Sequence, residues 1–412
     1  MGKAAPYCYF GTLIKSVGSV MTYAQRICFI FFLQPIALGA WLPHIPGVQT
    51  NLGLSNSELA IALIGAPIGT LSTLLIAGKV ANWLGARLIT MIFYPAFLIC
   101  MMSPFVAVTQ WTLMAALVLV GCTLSLVELG LNVLADEYEK QTGKKVMSKA
   151  HGFWSFGLLA GTLIGSAVAW AGLSPLYAGL AIAVVVEVIA YPIIQGLPIV
   201  EKTAEAEEAI KGGFRLPHPI LLGVCLFTFG TTLIEGAMVD WAAVYLRDTF
   251  AANPGLAGLG VSVFALCVAS TRLIGDKLRQ LATPGQLGQG LALIGLGGVA
   301  LIWFAPNAMV ALLGLGTLGI GVALASPLGV TAASAAPGKS PASNVAVLSF
   351  LALLGFLVGP LTIGPVADLY DIRTGLMVTG PMLVISFIMA TFLTRAERSD
   401  AEMPQTGTET PA

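Results

Sequence analysis

Charge is what this chain has least of. Charged residues make up 10% of its 412 positions, where a water-soluble domain carries about 25%. With 57% hydrophobic residues, a fully water-facing surface cannot be assembled, and lipid must cover much of the molecule. Other absences exclude whole classes of chemistry. The six cysteines (Cys8, Cys28, Cys100, Cys122, Cys225 and Cys267) are scattered, mostly inside apolar runs, and form no C-x-x-C pair. A disulfide framework or a zinc site is therefore not expected. No G-x-x-x-x-G-K-[ST] loop occurs, so no nucleotide or other bound cofactor is implied, and no enzymatic activity is expected. Basic residues sit in small loop clusters without a groove-like stripe or interleaved aromatics, which argues against nucleic acid as a partner. Residues 1–25 lack the compact apolar stretch and cleavage site of a secretory signal. Because Met21 closely precedes the first apolar run, residues 1–20 are set aside from the fold.

What the chain does have is about twelve apolar segments: 27–47, 58–78, 88–108, 111–134, 151–172, 175–196, 219–246, 256–275, 287–305, 308–333, 343–364 and 374–394. Each matches the roughly 20 apolar residues of a spanning helix. They are too long and continuous for barrel strands, which alternate over about 10 residues. Pro35, Pro67, Pro95 and Pro327 fall inside spans and predict kinks. The longest polar interruption, 197–218, splits the spans into two sets of six. The expected organisation is an N-terminal segment (1–26), a first half (27–196), a linker (197–218), a second half (219–394) and a polar, disordered tail (395–412). The halves also match at an offset of 198: Gly121 with Gly319, Leu126 with Leu324, Gly157 with Gly355, Gly161 with Gly359. Parallel six-helix repeats place a substrate site near the bilayer midplane between them.

The few charges are distributed unevenly. Of the 20 Lys and Arg residues, all but Arg247 and Arg373 fall in alternate gaps and the two tails. This is the positive-inside pattern, and it predicts cytoplasmic termini.

The loop after the second span reads Gly78-Lys-Val-Ala-Asn82-Trp-Leu-Gly85-Ala-Arg87. It resembles the signature G-x-x-x-D-x-x-G-x-[RK] of the major facilitator superfamily, with Asn82 where the family carries an acid. The loop Arg272-Leu-Ile-Gly275-Asp276-Lys277 in the second half keeps one. Glu235-Gly-Ala-Met-Val-Asp240-Trp241 and His151-Gly-Phe-Trp-Ser155-Phe-Gly157 resemble a little-characterised bacterial branch of inner-membrane permeases. Leu126-Val-Glu128-Leu-Gly-Leu-Asn132 is similar to the E-x-x-x-N of fucose–proton symporters, in which the Glu is a protonation site. Those symporters also carry an acid in the first helix, where this chain offers Gln34, Trp41 and His44. The resemblance implies an all-α bundle of twelve transmembrane helices in two pseudo-symmetric halves, with helices one, four, seven and ten lining the cavity. It also implies secondary transport of a small polar solute, with protons as a second partner.

The candidate site residues follow from position. Glu128 and Asn132, four apart, share a helix face, and ionisable groups within spans usually meet a cavity or a partner. Glu235 lies about 24 Å into its span, and Asp240 lies nearer the outer end. Gln34 and Trp41 complete the expected solute- and proton-binding set; Trp41 and Trp241 lie toward the outer ends of their helices, where a ring either stacks on a sugar-like solute or, more commonly, anchors at the membrane interface. Gly78, Asn82, Gly85, Arg87, Arg272 and Asp276 form the expected gating set, in which Arg272 and Asp276, four apart, pair as a latch. Glu187 is expected to be structural, and His151 to be a loop or capping contact. The glycines Gly157, Gly161 and Gly165 form a flat face suited to close packing and to sliding of the halves. No metal site is expected. The expected setting is a monomer in the bacterial inner membrane that binds a small solute. Two alternatives stay open: a proton-coupled exporter of amphiphiles, or a receptor or scaffold that does not transport.

Overall fold

The computed structural model describes residues 21–197, 217–338 and 340–402. The first 20 residues, most of the expected linker and the end of the tail lie outside the described residues. Among the described residues, twelve helices are long and apolar enough to cross a membrane. The first half comprises α1 (Tyr23–Leu52), α2 (Asn56–Leu84), α3 (Ala86–Val106), α4 (Gln110–Thr142), α5 (Met147–Trp170) and α6 (Pro175–Gln195). The second comprises α7 (Pro219–Phe250), α8 (Pro254–Leu273), α9 (Pro284–Phe304), α10 (Ala308–Ala335), α11 (Ser343–Leu369) and α12 (Ile372–Ser399). No strand occurs among the described residues.

Helix starts are written in neutral polar residues, which satisfy exposed N–H groups without adding charge. Thr22, Ser55, Thr109 and Thr283 each form a capping box, and Asn253 and Asn307 cap α8 and α10. Pro67 and Pro327 lie just beyond helix breaks at Ile64 and at Ala323–Leu324, because a proline cannot donate to the carbonyl four residues back. Pro35 and Pro95, expected to kink their spans, lie inside continuous helices. The break in α1 comes later, at the 3-10 turn Leu42–His44. Several helices outrun their apolar spans. α4 continues to Thr142, stabilised past the span by an Asp136–Lys140 pair at 3.0 Å. The tail expected to be disordered from 395 instead continues as helix from Thr391 to Glu402.

The repeat is visible in the packing. A side chain at Gly157 or Gly161 would strike the main chain of α1 at Phe32 and Ile36. At the offset positions, Gly355 and Gly359 lie against the main chain of α7 at Phe229 and Leu233. Gly121 packs on α2 at Ala66, and Gly319 on α8 at Phe264. These glycines therefore join helices within a half. The expectation that the α5 glycine face lets the halves slide is corrected: Gly157, Gly161 and Gly165 all seat on α1.

Contacts between the halves gather at the face that carries Arg247 and Arg373, here the charge-poor face. There Gly258 lies against Pro43 and Ser166, Gly255 against Trp170, and Gly364 against Asn56 and Ala60. Ser166 and Ser262 share a 3.4 Å hydrogen bond. Nearer the opposite, basic face, the described residues supply one hydrogen bond between halves, from Arg272 to Ser155. The bundle is closed at the charge-poor face, and the polar side chains Glu128, Glu235 and Arg272 keep partial exposure.

The glycine contacts set a stability prediction. Gly161→Val should cost about 1–3 kcal/mol, because overpacking forces α5 off α1. Gly152, which has open space where its Cβ would be, should accept alanine without loss. Thermal unfolding of both variants in detergent checks this, and equal melting temperatures would contradict it.

Candidate functional site

The most connected polar group inside the bundle is Arg272, one residue from the end of α8. Pro327 cannot donate to the Ala323 carbonyl, so the break in α10 leaves that oxygen without its helical partner. Arg272 Nε donates to it at 3.0 Å. Arg272 Nη2 donates to both carboxylate oxygens of Glu235 on α7, at 2.9 and 3.2 Å. Its Nη1 reaches Ser155 Oγ on α5, in the other half, at 3.4 Å. The Ser155 hydroxyl donates in turn to the His151 carbonyl at 3.2 Å. A guanidinium suits this node because its rigid fork serves several acceptors at once. The pair is 24% and 21% exposed.

This arrangement corrects the expected latch. Arg272 pairs with Glu235 and not with Asp276, which is exposed. The reason is local. α8 ends at Leu273, Ile274 leaves helical geometry, and a separate short helix begins at Gly275. The four-residue spacing therefore does not put both side chains on one face.

Glu128 sits near the middle of α4 and is partly exposed. Leu119, 54% exposed on the outer surface, is nine residues away, about half a turn around the helix, so Glu128 points away from that surface. Among the described residues Glu128 has neither an ion-pair nor a hydrogen-bond partner. One turn toward the basic face, Asn132 Oδ1 is buried and also unpartnered. Asp240 is partly exposed and has no ion-pair partner among the described residues.

The remaining expected binding residues are closed off in this state. Gln34 is fully buried, and its Oε1 accepts from Trp154 Nε1 at 2.7 Å, tying α1 to α5. Trp41 is buried edge-on against Phe105, with centroids 5.2 Å apart. Trp241 is buried with its Nε1 unpartnered. Neither ring presents a free face, so the expected stacking platform is absent here.

In the signature loop, Gly85 ends α2 at φ 78°, a conformation that suits glycine. Arg87 donates to the Gln195 carbonyl at 2.5 Å, and Arg26 donates to Gly196 beside it. Both arginines thus cap α6 within their own half. Gly78 and Asn82 lie on the last turns of α2, partly exposed. Glu187 on α6 keeps a buried, unpartnered oxygen. His151 is exposed at the start of α5, edge-on to Phe31. Sequence reasoning missed the Arg272–Glu235 pair and the part played by Ser155. The available signal was Pro327, which announces a freed carbonyl.

A family model described as Major Facilitator Superfamily matches residues 27–348. An uncharacterised MFS-type transporter of Yersinia pestis is 26% identical over 375 residues, 89% of this chain and 94% of that protein. A bacterial homologue of the human lysosomal transporter Spinster, inward-facing and unoccupied, superposes with a TM-score of 0.71 at 14% identity, over 97% of this chain and 98% of that one. The Escherichia coli fucose:proton symporter FucP superposes with a TM-score of 0.62 at 14% identity, over 90% and 99% of the two chains. At these identities the structural likeness speaks to the fold alone.

The ion pair yields a double-mutant test. Glu235→Gln and Arg272→Met should each cost about 2–3 kcal/mol, since each strands its partner in a partly buried site. The double variant should cost less than the sum by at least about 1 kcal/mol. Additive losses in thermal unfolding would mean that the two side chains are not coupled.

Proposed function

The chain belongs to the Major Facilitator Superfamily, and we propose that it is a secondary active transporter of a small polar organic solute. Transport is coupled to protons and proceeds by alternating access. The basic face and both termini lie in the cytoplasm, and the setting is the bacterial inner membrane. The bundle, closed at the charge-poor face, is then in its inward-open state. The protein acts as a monomer whose partners are the solute, protons and lipid.

One observation carries the coupling assignment: among the described residues Glu128 stands at mid-span without a cation, whereas Glu235 is held by Arg272. A lone carboxylate is costly in the membrane, and taking up a proton removes that charge. Glu128 is therefore the proton carrier. Glu235 acts as the counter-ion of Arg272, fastening α7 to α8. Asp240 is a second, subordinate carboxyl. Asn132 supplies an acceptor one turn from Glu128, suited to a hydroxyl of a sugar-like solute. The fold shared with a fucose:proton symporter supports the same reading. The polar character of these groups favours such a solute over an amphiphile.

Glu128→Gln should lower proton-driven accumulation in proteoliposomes at least tenfold while sparing solute exchange in counterflow. Retained uphill uptake under a normal proton gradient would remove Glu128 from coupling. Wild-type protein that binds solute but does not exchange it would identify a receptor.

A further inference from the structure

We infer that Arg247 and Asp368 form the latch of the charge-poor gate: two ionised side chains of the second half that cap the ends of two adjoining helices of the first. Arg247 stands near the end of α7. Its Nη1 donates to the Pro46 carbonyl at 2.6 Å and to Thr50 Oγ1 at 3.1 Å. Its Nη2 donates to Gln49 Oε1 at 2.7 Å. All three acceptors lie in the last turns of α1, where a cation is favoured by the helix dipole. Asp248 holds the guanidinium in place, at 2.5 and 3.0 Å. Asp368 stands at the end of α11. Its two oxygens accept from the Asn56 and Ser57 main-chain N–H groups, each at 2.8 Å, at the start of α2, where an anion is favoured.

The two caps are one device. Gln49 Nε2 donates to Asn56 Oδ1 at 3.1 Å, so a continuous chain runs Asp248, Arg247, Gln49, Asn56, Asp368. It grips the short α1–α2 connection from both sides. Gly364, one turn before Asp368, lies against Asn56 and Ala60, where any side chain would hold α11 away from α2. Every first-turn donor of α2 is used, because Ser55 Oγ takes the Glu58 N–H. Opening this face strips the Asn56 and Ser57 donors and three acceptors of α1 at once. The other basic residue of the face, Arg373, is spent within its own half on the Trp303 and Ala305 carbonyls. Arg247 is thus the cation that crosses.

The latch rests on the alternating-access reading above, and its test does not require the solute. In full-length protein with native cysteines replaced by alanine, one spin-label pair is placed at Asn51 and Tyr370 on the charge-poor face. A second pair is placed at Lys144 and Gln280 on the basic face. Arg247→Gln and Asp368→Asn should each raise the population open at the charge-poor face roughly tenfold, the scale of a lost charge-assisted contact. The charge-poor distance should lengthen while the basic-face distance shortens, a reciprocal change that simple loosening does not produce. Arg247→Lys and Asp368→Glu should restore part of the closure. Arg373→Gln, which removes the same charge without a contact between halves, should not move either pair. Because the partners are helix ends, exchanging the charges as Arg247→Glu with Asp368→Arg should open the face further. Restored closure in that exchange would overturn the latch. So would unchanged distances in folded Arg247→Gln and Asp368→Asn. Failure of the transport reading would show separately, as wild-type protein that exchanges no solute.

Discussion

A main-chain carbonyl or N–H group without a partner has no inexpensive place in hydrocarbon, and six charged side chains in this bundle answer that constraint. Arg272 takes the Ala323 carbonyl freed by Pro327, and Arg373 takes the carbonyls at the end of α9. Arg26 and Arg87 take those at the end of α6. Arg247 takes one in the last turns of α1, while Asp368 takes the free N–H groups that begin α2. Scarce charge is placed where helices end or break, and neutral Ser, Thr and Asn caps serve elsewhere. A chain with only 10% charged residues can therefore complete its backbone and still keep a few carboxyls uncommitted.

The two halves share a scaffold and differ in where charge is neutralised. The glycines that seat α5 on α1 and α11 on α7 occur at equivalent positions, so the repeats present α4 and α10 in matching places. In the first half the mid-span carboxyl Glu128 is unpaired. In the second, Glu235 is tied to Arg272. The asymmetry traces to the break in α10, which draws Arg272 inward and with it a counter-ion. Among the described residues, the tied carboxyl Glu235 sits in the second half and the unpaired Glu128 in the first, with Asp240 a further unpaired carboxyl on α7.

Helix number, order and approximate extent were legible in the sequence because hydropathy and neutral caps report them directly. The ends were less legible: hydropathy stops at the water boundary, but hydrogen bonding does not, so α4 continues eight residues past 134, to Thr142. Glu128 and Asn132 share a face as their spacing implies, since α4 is unbroken there. The same rule failed for Arg272 and Asp276 because Ile274 interrupts the helix between them. Trp41 and Trp241 were placed by their depth alone, and depth carries no information about rotation around the helix. The caps made by Arg247 and Asp368 were hidden for a different reason. Each holds main-chain groups 201 or more residues away, which leave no mark in residue type.

The placement of these contacts bears on how the halves can move. Glu235, Arg272 and Ala323 all belong to the second half, so a rotation of one half against the other carries the ion pair along intact. The crossing contact there is the long bond to Ser155. Separating a pair in a medium of low dielectric constant would cost several kcal/mol, and this geometry avoids it. At the charge-poor face the situation is reversed: the bonds of Arg247 and Asp368 and the Ser166–Ser262 contact all cross. The bonds of Asp368 to α2 and of Arg247 to Thr50 are exposed, so water can replace those partners at modest cost. On the alternating-access reading, the strong interaction lies where nothing need separate, and the exposed contacts lie where the halves part. An equilibrium between two packings within a few kcal/mol of each other requires that division.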